Sequence, residues 1–434
     1  MNVVLVKPKI ENIHPSKGTI RSPVGLTYVA AACEKAGHTV VIVDSEVLDL
    51  SGDALTDAIL SHAPGIVGVT ATSPVIATAA RISRGIHARD ARLPTIIGGP
   101  HASAIPRETL EATDFDYACA GEGEAVMPPL LERLDRKAEP SGIPGLLYRA
   151  GGQIRGDPHQ ALVDDLDALA FPARRLLSMQ CYMDLPRGIV EPQDTLVTTR
   201  GCVGKCAFCA SAGTKPRFRS LDNLLAELDD IVNKHHIRYL IIGDDTFTLS
   251  KKRIVDFCKE IVARRYDLHY LCQTRLDTID AEILEWLSKS GCYAICFGVE
   301  SGTPRVLESM GKRLSIDRML QNLPLVKASG ITIRTTYIIG WIDETEEEVW
   351  NTINLAKKVD ADETAFCIAT PFPGTRLWDE AVRRGMRVDL KKMENFHFYF
   401  DVGFNVSKIP TPRLLELQKT AHEMQPSRVY KVCA

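Results

Sequence analysis

Two long stretches of the chain alternate short runs of apolar, often β-branched residues with helical patterns. In the first stretch, residues 1–135, the apolar runs predict five strands, each followed by a helix. The predicted strands are 2–8, 38–44, 65–71, 95–99 and 115–121. The predicted helices are 26–37, 52–62, 76–89, 106–112 and 124–135. Because these strands are apolar almost throughout, they predict a parallel sheet with helices on both faces.

A second alternating series begins at residue 195. Its predicted strands are 195–200, 239–245, 270–275, 293–300, 332–340 and 363–372. Its predicted helices are 220–234, 252–265, 280–290, 303–310, 316–329 and 345–359. These are six strand–helix units, two fewer than a closed eight-stranded barrel contains. The pattern therefore predicts an open, partial (β/α)6 barrel.

The chain divides into four segments on this basis. Residues 1–140 form a doubly wound, Rossmann-like α/β domain, and residues 194–385 form the partial barrel. Residues 141–193 are rich in Gly and Pro and weakly periodic, which predicts a linker with one hairpin. Residues 386–434 combine a run of five aromatics within 395–406 with a helix near 411–425. We expect this last segment to close the open barrel.

Composition excludes several classes of protein. Of the 434 residues, 45% are apolar and 25% charged, and the formal net charge is −3. Such a balance gives no general attraction to nucleic acid, and no apolar run approaches the roughly 18 residues needed to span a bilayer. The first residues lack the basic and long apolar regions of a secretory leader. We therefore expect a cytoplasmic protein that binds no nucleic acid and has no integral membrane association.

Three of the twelve cysteines lie together in TTRGCVGKCAFCASAG. Cys202, Cys206 and Cys209 fall on the loop after the first strand of the second series. Thiolates at such spacing are soft ligands for zinc or for an iron–sulfur cluster. A structural zinc site needs a fourth ligand, for which His235 and His236 are the nearest histidines. Three thiolates suit a cluster of four irons in which one iron stays open to another ligand.

The CxxxCxxC spacing, with Phe208 directly before the last cysteine, resembles the signature of the radical S-adenosylmethionine (SAM) superfamily. Later segments are similar to other motifs of that family: GDD (243–245), GVES (298–301), IIGWIDET (338–345) and TPFPGT (370–375). One departure is Val203, which stands where the family usually has Pro. The resemblance implies that a [4Fe-4S] cluster binds SAM through its open iron and that reductive cleavage yields a 5′-deoxyadenosyl radical.

The resemblance also implies roles for residues around SAM. Asp244 or Asp245 would accept from the SAM ammonium group, beside Gly243. Glu300 with Ser301 would contact the ribose, and Phe208 would pack near the adenine. Arg275 would either pair with the SAM carboxylate or form a structural salt bridge at the barrel rim.

Segments of the first domain resemble the cobalamin-binding domain of the cobalamin-dependent radical SAM branch. They are PVGLTYVAAACEKAGHTVVIVD (23–44), IIGGPHASAIPRE (96–108) and AGEGE (120–124). The chain lacks the Asp-x-His-x-x-Gly motif by which other cobalamin proteins supply a lower axial histidine. The cobalamin contacts expected from strand ends and helix starts are Pro23, Gly25, Leu26, Thr70, Gly98, Gly99, His101, Glu122 and Gly123.

These features together predict a cobalamin-dependent radical SAM enzyme. The leading interpretation is methylation of an unactivated carbon, or of phosphorus, in a small-molecule substrate. Within the same branch, cyclisation, ring contraction or oxidation remains the alternative. A zinc-stabilised interaction protein and a non-enzymatic corrinoid carrier are alternatives of another class. Radical SAM chemistry also implies an electron donor such as flavodoxin or ferredoxin.

Overall fold

The computed structural model describes residues 1–10, 20–184, 187–387 and 404–425, together with residues 389, 393 and 402. The chain separates into two compact units. Most of the first is Ile20–Cys181, and most of the second is Tyr182–Arg387. Among the described helices, none combines the length and the apolarity that crossing a bilayer requires.

The described residues of the first unit form seven strands and six α-helices. Its strands are β1 (Asn2–Lys7), β2 (Thr39–Asp44), β3 (Ile66–Thr70), β4 (Thr95–Gly98), β5 (Tyr117–Cys119), β6 (Leu146–Ala150) and β7 (Gln153–Gly156). Its helices are α1 (Val24–Lys35), α2 (Gly52–Leu60), α3 (Ile76–Arg89), α4 (Pro100–Ala104), α5 (Pro106–Ala112) and α6 (Gly123–Asp135). The strand order is β2-β1-β3-β4-β5-β6-β7.

Strands β1 to β5 are parallel, which confirms the doubly wound sheet predicted from their apolar sequences. Val3, Leu5 and Ile66 are almost completely buried in the core formed with α1 and α6. The direction of winding changes between β1 and β3. Parallel α/β sheets bind ligands beyond the carboxyl ends of the strands at such a point.

The segment predicted as a linker is largely part of this first unit. Strand β6 pairs antiparallel with β5, and β7 pairs antiparallel with β6, so the predicted hairpin extends the sheet by two strands. Ala161 then bonds back to the unit, because its N–H donates to the carbonyl of Ala120 over 2.9 Å. Gly and Pro content indicated turns here. It carried no information about the long-range pairing that makes the segment structural.

In the second unit, the residues that the structure describes form eight strands and eight α-helices. Its strands are β8 (Gln193–Leu196), β9 (Thr199–Arg200), β10 (Arg217–Phe218), β11 (Tyr239–Ile242), β12 (His269–Thr274), β13 (Cys292–Glu300), β14 (Thr332–Ile339) and β15 (Glu363–Ile368). Its helices are α7 (Leu221–Asp229), α8 (Lys251–Ala263), α9 (Ala281–Lys289), α10 (Pro304–Ser309), α11 (Ile316–Ala328), α12 (Glu346–Val359), α13 (Arg376–Arg383) and α14 (Thr411–Glu423).

Six of these strands form one parallel sheet in the order β15-β14-β13-β12-β11-β8, which confirms the partial barrel. The last strand, β15, is covered by α14. The Gln418 amide donates to the carbonyl of Phe366 over 2.7 Å, and the Phe366 N–H donates to His422 Nε2 over 3.2 Å. An edge strand protected in this way does not pair with other chains. The aromatic run predicted to help close the barrel lies mostly outside the described residues.

Two glycines at helix ends differ in the space around them, and this difference gives a test of the packing. Gly291 (φ 95°) follows α9, and Gly330 (φ 74°) follows α11. A Cβ on Gly291 would lie 1.9 Å from the carbonyl oxygen of Leu268, whereas a Cβ on Gly330 would meet no atom within 4 Å. We predict that Gly330→Ala lowers the free energy of unfolding by about 1 kcal/mol through backbone strain alone. Gly291→Ala should cost at least about 2 kcal/mol more, because β12 and β13 must shift.

Urea unfolding of the two variants beside the unsubstituted protein measures this difference. Equal destabilisation by the two substitutions would contradict the tight approach of Gly291 to β12.

Candidate active site at the carboxyl edge of the barrel sheet

The three clustered cysteines lie on the loop between the short strands β9 and β10, beyond the carboxyl end of β8. The loop folds back on itself through hydrogen bonds that its own backbone N–H groups donate. The Cys202 N–H donates to Thr214 Oγ1 (2.9 Å), the Cys209 N–H to the Cys206 carbonyl (3.2 Å), and the Gly213 N–H to the Gly204 carbonyl (2.7 Å). The thiols are therefore held by main-chain hydrogen bonds rather than by a regular element.

Two distant helices hold the same loop from outside. The Ala207 N–H donates to the carbonyl of Met310 just after α10 (2.7 Å), and the Leu377 N–H of α13 donates to the Ala207 carbonyl (2.9 Å). The Arg376 guanidinium, also on α13, donates to the carbonyl of Lys205. Gly311, with φ 68°, also packs against this loop. Only a glycine fits there, because a Cβ would lie 2.4 Å from the carbonyl oxygen of Lys205. The loop conformation thus depends on segments more than 100 residues away.

The thiols lie close enough to influence one another. Burial raises the pKa of both Cys206 and Cys209, and neighbouring thiols of the same trio raise each further. The Lys312 ammonium group and the Arg275 guanidinium lower the pKa of Cys206 in opposition. Among the described residues, no three His, Cys, Asp or Glu side chains are arranged around one shared metal ion. A four-iron cluster binds each thiolate to a different iron, so it does not require that convergence.

His235 and His236 do not lie near this loop. They precede β11, at the amino end of a strand that runs parallel to β8, whereas the cysteine loop follows the carboxyl end. His235 instead lies 3.5 Å from the carboxylate of Asp230. The fourth ligand considered for a zinc site is therefore at the opposite edge of the sheet. Three soft thiolates without that histidine fit the iron–sulfur cluster.

The adjacent carboxylates of Asp244 and Asp245 have different environments. Asp244 is buried and accepts from the N–H groups of Thr198 (2.7 Å) and Thr199 (3.0 Å), and from the Thr198 hydroxyl. Burial raises its pKa, while these hydrogen bonds lower it. Asp245 is exposed and lies near enough to Cys209 to raise the pKa of that thiol. Gly243 is exposed, and a Cβ there would lie 2.7 Å from Thr195.

Glu300 ends β13 in an unusual backbone conformation. Its φ is 71°, and the register with β14 shifts between Gly298 and Glu300. A β-bulge of this kind redirects a side chain at the end of a strand. The Lys312 ammonium group donates to Glu300 Oε1 over 2.9 Å, and both side chains are less than 10% exposed. Gly298 leaves room for the pair, since a Cβ there would lie 2.2 Å from Glu300 Oε1.

Ser301 and Arg275 are held by protein contacts. The Ser301 hydroxyl is buried, accepts from the N–H of Thr303 (3.1 Å) and bonds to Thr352 Oγ1 (3.2 Å). The Arg275 guanidinium donates through two nitrogens to Asp277 (2.9 and 2.7 Å), which is the rim salt bridge that the sequence allowed as an alternative. Its influence on Cys206 nevertheless shows that this cation lies beside the cysteine loop.

Phe208 of the cysteine loop belongs to an aromatic pair that adjoins a buried carboxyl group. Phe208 meets the buried Trp341 edge to face, with the ring centroids 6.1 Å apart. The Trp341 indole N–H donates to Ser309 Oγ over 3.0 Å, and its backbone N–H donates to Glu344 Oε2 over 2.9 Å. Burial raises the pKa of Glu344 to about 7. Its Oε1 has no hydrogen-bond partner among the described residues.

In the first unit, the expected cofactor residues gather at the carboxyl ends of β3 and β4. Thr70 ends β3, and Gly99 (φ 89°) packs so closely that a Cβ would lie 2.6 Å from Thr70 Oγ1. His101 is 1% exposed and bonds through Nδ1 to Ser73 Oγ (3.0 Å), while Nε2 has no partner among the described residues. Burial lowers the pKa of His101 to about 4, so the ring is neutral at physiological pH. Gly98, the last residue of β4, has only Cys119 within 4 Å of a Cβ.

The residues expected at helix starts fall into two kinds. Pro23 caps α1, and Gly25 has no atom within 4 Å of a Cβ, so the helix start is open. Leu26 is instead part of the buried core of the first unit.

At the start of α6, Glu122 accepts from the Val163 N–H over 2.6 Å. A Cβ on Gly123 would lie 2.7 Å from Val29 of α1. The neutral imidazole of His101, with Nε2 unpaired among the described residues, could bond to an amide group of a ligand. Together with the open backbone at Gly25, it fits a large cofactor that carries amide groups, such as cobalamin.

Sequence reasoning missed several residues of the barrel site. Lys312, Arg376 and Trp341 contact or adjoin the cysteine loop, yet each lies on a separate helix or loop far along the chain. The one local signal was a lysine directly after a glycine, in SMGKR. The contacts themselves depend on the closure of the sheet and could not be inferred from spacing.

Comparison with known proteins finds a matching family for each of the two alternating stretches of the chain. Residues 196–356 match the Radical SAM superfamily, and residues 17–131 match the B12 binding domain. An uncharacterized methyltransferase of Pyrococcus horikoshii is 34% identical over 396 residues, which cover 89% of this chain and 84% of that protein. The anaerobic magnesium-protoporphyrin IX monomethyl ester cyclase of Rubrivivax gelatinosus is 27% identical over 413 residues, covering 92% and 72%.

A solved structure shares the fold. The radical S-adenosylmethionine methyltransferase TsrM from Kitasatospora setae, with cobalamin and a [4Fe-4S] cluster bound, superposes with a TM-score of 0.73 at 21% identity. The match covers 89% of this chain and 76% of that one. A cobalamin-type sheet followed by a radical SAM barrel is therefore the architecture of both chains.

The contact of Gly311 with the cysteine loop yields a test. We predict that Gly311→Ala reduces the iron and acid-labile sulfide bound per chain at least about threefold, because the new Cβ displaces the Lys205 carbonyl and so Cys206. Gly213→Ala is the matched control. Gly213 lies on the cysteine loop itself and also has a positive φ (74°), but a Cβ there would meet no atom within 4 Å. Iron and sulfide assays after anaerobic reconstitution measure the effect. Equal cluster content in the two variants would contradict the role of Gly311.

The buried Glu344 predicts a specific pH dependence of stability. Its carboxyl group has a pKa of about 7 in the folded chain and an ordinary value of 4.5. The folded state therefore binds more protons between these limits, and stability falls as the pH rises from about 4.5 to 7. Relative to Glu344→Gln, the unsubstituted protein should lose about 3 kcal/mol across this range.

Urea unfolding at several pH values measures this, with the exposed neighbour substituted in Glu347→Gln as control. A pH-independent difference between the Glu344→Gln variant and the unsubstituted protein would refute the shifted titration.

Proposed function

The chain belongs to the cobalamin-dependent radical SAM enzymes, and we propose that it transfers a methyl group to an unactivated carbon, or to phosphorus, of a small molecule. One observation carries the proposal. A loop of three thiols at the carboxyl edge of a partial barrel is joined, in one chain, to a sheet of the B12-binding type. Methyltransferases and a cyclase are among the relatives of this chain.

When bound, the cluster and SAM supply a 5′-deoxyadenosyl radical, and cobalamin supplies a carrier for the methyl group. The chain supplies the ligands and the orientation. In this proposal, Cys202, Cys206 and Cys209 each bind one iron. The two helix contacts on the loop would hold these three ligands in place and leave one iron of the cluster without a protein ligand.

Asp245 is the proposed acceptor for the SAM ammonium group. Its carboxylate is exposed beside Cys209, whereas the oxygens of Asp244 are occupied by Thr198 and Thr199. An ionised carboxylate is a strong, charge-assisted partner for an ammonium group. Asp244 therefore has the supporting role of joining β11 to the start of the cysteine loop.

Glu300 is the proposed acceptor for the ribose hydroxyls, and Phe208 is the proposed wall of the adenine site. The strained backbone of Glu300 turns its side chain away from the direction an ordinary strand would give it. Such strain is characteristic of functional positions. Phe208 packs nearly perpendicular to Trp341, and its aromatic ring would offer the adenine a surface for stacking. Arg275 supports the site as a cation beside Cys206, held in place by Asp277.

The proposed substrate site is the inner surface of the barrel sheet. Residues of β14 that face the helices, such as Ile333 and Ile339, are buried, while the alternate residues Thr336 and Ile338 remain partly exposed. Gln273 on β12 is exposed within its strand. Closed barrels fill this interior with branched apolar side chains. An interior with accessible polar groups supports a small-molecule substrate there.

For the first unit, we propose that cobalamin lies beyond β3 and β4. Thr70, Gly98 and Gly99 would contact it through the sheet edge, and the free Nε2 of His101 would take part in a hydrogen bond. The starts of α1 and α6 would receive its polar groups at Pro23, Gly25, Glu122 and Gly123. We further propose a cytoplasmic location and a one-electron donor such as flavodoxin or ferredoxin.

Product analysis tests the proposed reaction. Full-length protein reconstituted without oxygen would be incubated with cobalamin, dithionite and SAM. We expect tightly bound cobalamin, S-adenosylhomocysteine formed without added substrate, and 5′-deoxyadenosine that Cys206→Ala abolishes. Bound cobalamin with 5′-deoxyadenosine but without S-adenosylhomocysteine would instead favour the alternative of cyclisation, ring contraction or oxidation, and a cyclase is among the relatives.

The role of Asp245 gives a separate prediction. Asp245→Asn should weaken SAM binding about tenfold, because a charge-assisted hydrogen bond to the ammonium group is lost. Asp256→Asn is the control, since Asp256 forms an exposed pair with Lys252 on α8. Calorimetric titration of SAM into the cluster-loaded protein measures both variants. Unchanged affinity in Asp245→Asn would rule out this residue as the ammonium acceptor.

A further inference from the structure

The lysine of the ion pair between Lys312 and Glu300 is less exposed to solvent than the lysine of any other lysine–carboxylate pair recorded among the described residues. Lys312 Nζ and Glu300 Oε1 are 2.9 Å apart, and the side chains are 9% and 7% exposed. By contrast, Lys327 pairs with Asp360 on the surface, where the side chains are 41% and 75% exposed. A buried charge without its partner is strongly unfavourable, so each member of the Lys312 pair constrains the other.

The surroundings of the pair fix it in one geometry. The bulge at the end of β13 and the φ of 71° turn Glu300, and Gly298 leaves the space in which Lys312 reaches it. Lys312 follows Gly311, whose backbone packs against the cysteine loop at Lys205. The position of the ammonium group is therefore tied to the same contact that shapes the loop.

We propose that Lys312 is a positioning residue that holds Glu300 Oε1, so that Oε2 is presented to the ribose hydroxyls of SAM. The inference rests on the proposed ribose contact of Glu300. In the described part of the chain, the bond to Lys312 is the one recorded side-chain hydrogen bond of Glu300. A carboxylate with one oxygen fixed loses little further freedom when the other oxygen accepts a ligand hydroxyl.

The fragment 5′-methylthioadenosine isolates this effect, because it has the adenine and ribose of SAM but no amino acid group. Its dissociation constant, and that of SAM, would be measured by calorimetry on the full-length, cluster-loaded protein. The variants are Glu300→Gln, Lys312→Met and the double substitution, which together form a thermodynamic cycle. Lys312→Arg tests rescue by another cation, and Lys327→Met is the surface control. Iron content per chain shows whether each variant keeps its cluster.

We expect Lys312→Met to weaken binding of 5′-methylthioadenosine and of SAM by the same factor, about tenfold, as for a lost hydrogen bond to a charged group. In the Glu300→Gln background, Lys312→Met should have no further effect, since its action passes through Glu300. Lys312→Arg should recover most of the affinity, and Lys327→Met should leave it unchanged.

Two results would overturn the proposal. If Lys312→Met weakens SAM but not 5′-methylthioadenosine, Lys312 contacts the amino acid part of SAM directly. If the two substitutions act additively, Lys312 acts independently of Glu300. If Glu300→Gln leaves 5′-methylthioadenosine binding unchanged, or the unsubstituted protein does not bind it, the ribose contact in the proposed function fails instead.

Discussion

The fixed path of the cysteine loop is the constraint on which the barrel site depends. Three thiols without a regular element around them have no preferred arrangement, and their order comes from hydrogen bonds of Ala207 to the end of α10 and the start of α13. The close approach of Gly311 to Lys205 joins those contacts. Because α10 and α13 lie far along the chain, the loop is complete only when the whole sheet has formed. Cluster binding and folding of this unit are therefore expected to depend on each other.

The same edge of the sheet concentrates charge and strain. Asp244 joins β11 to the loop through buried hydrogen bonds, while its neighbour Asp245 remains exposed beside Cys209. Glu300 adopts a backbone conformation that is costly for a residue with a Cβ and is paired with a buried lysine. Neighbouring carboxylates thus have different surroundings: Asp244 is held by buried hydrogen bonds, whereas Asp245 is exposed.

Much of the architecture could be predicted from the sequence. Apolar runs located the strands of the first sheet, because strands buried on both faces have little polar content. Runs rich in β-branched and aromatic residues located those of the barrel sheet. The spacing of Cys202, Cys206 and Cys209 indicated a cluster, because three soft thiolates suit four irons of which one stays open to another ligand. Sequence could not show that the hairpin of β6 and β7 pairs with the first sheet, since strand pairing is a long-range property. It also could not separate Asp244 from Asp245 or reveal Lys312, because those roles follow from three-dimensional neighbours.

The proposed chemistry requires that the three cysteines bind a four-iron cluster with one iron open to SAM. Mössbauer spectroscopy of protein reconstituted anaerobically with 57Fe, with and without SAM, tests it most directly. We expect four irons per chain and, on adding SAM, a change in one iron site while the other three keep their parameters. Four iron sites that do not respond to SAM, or one zinc per chain in place of iron, would contradict it.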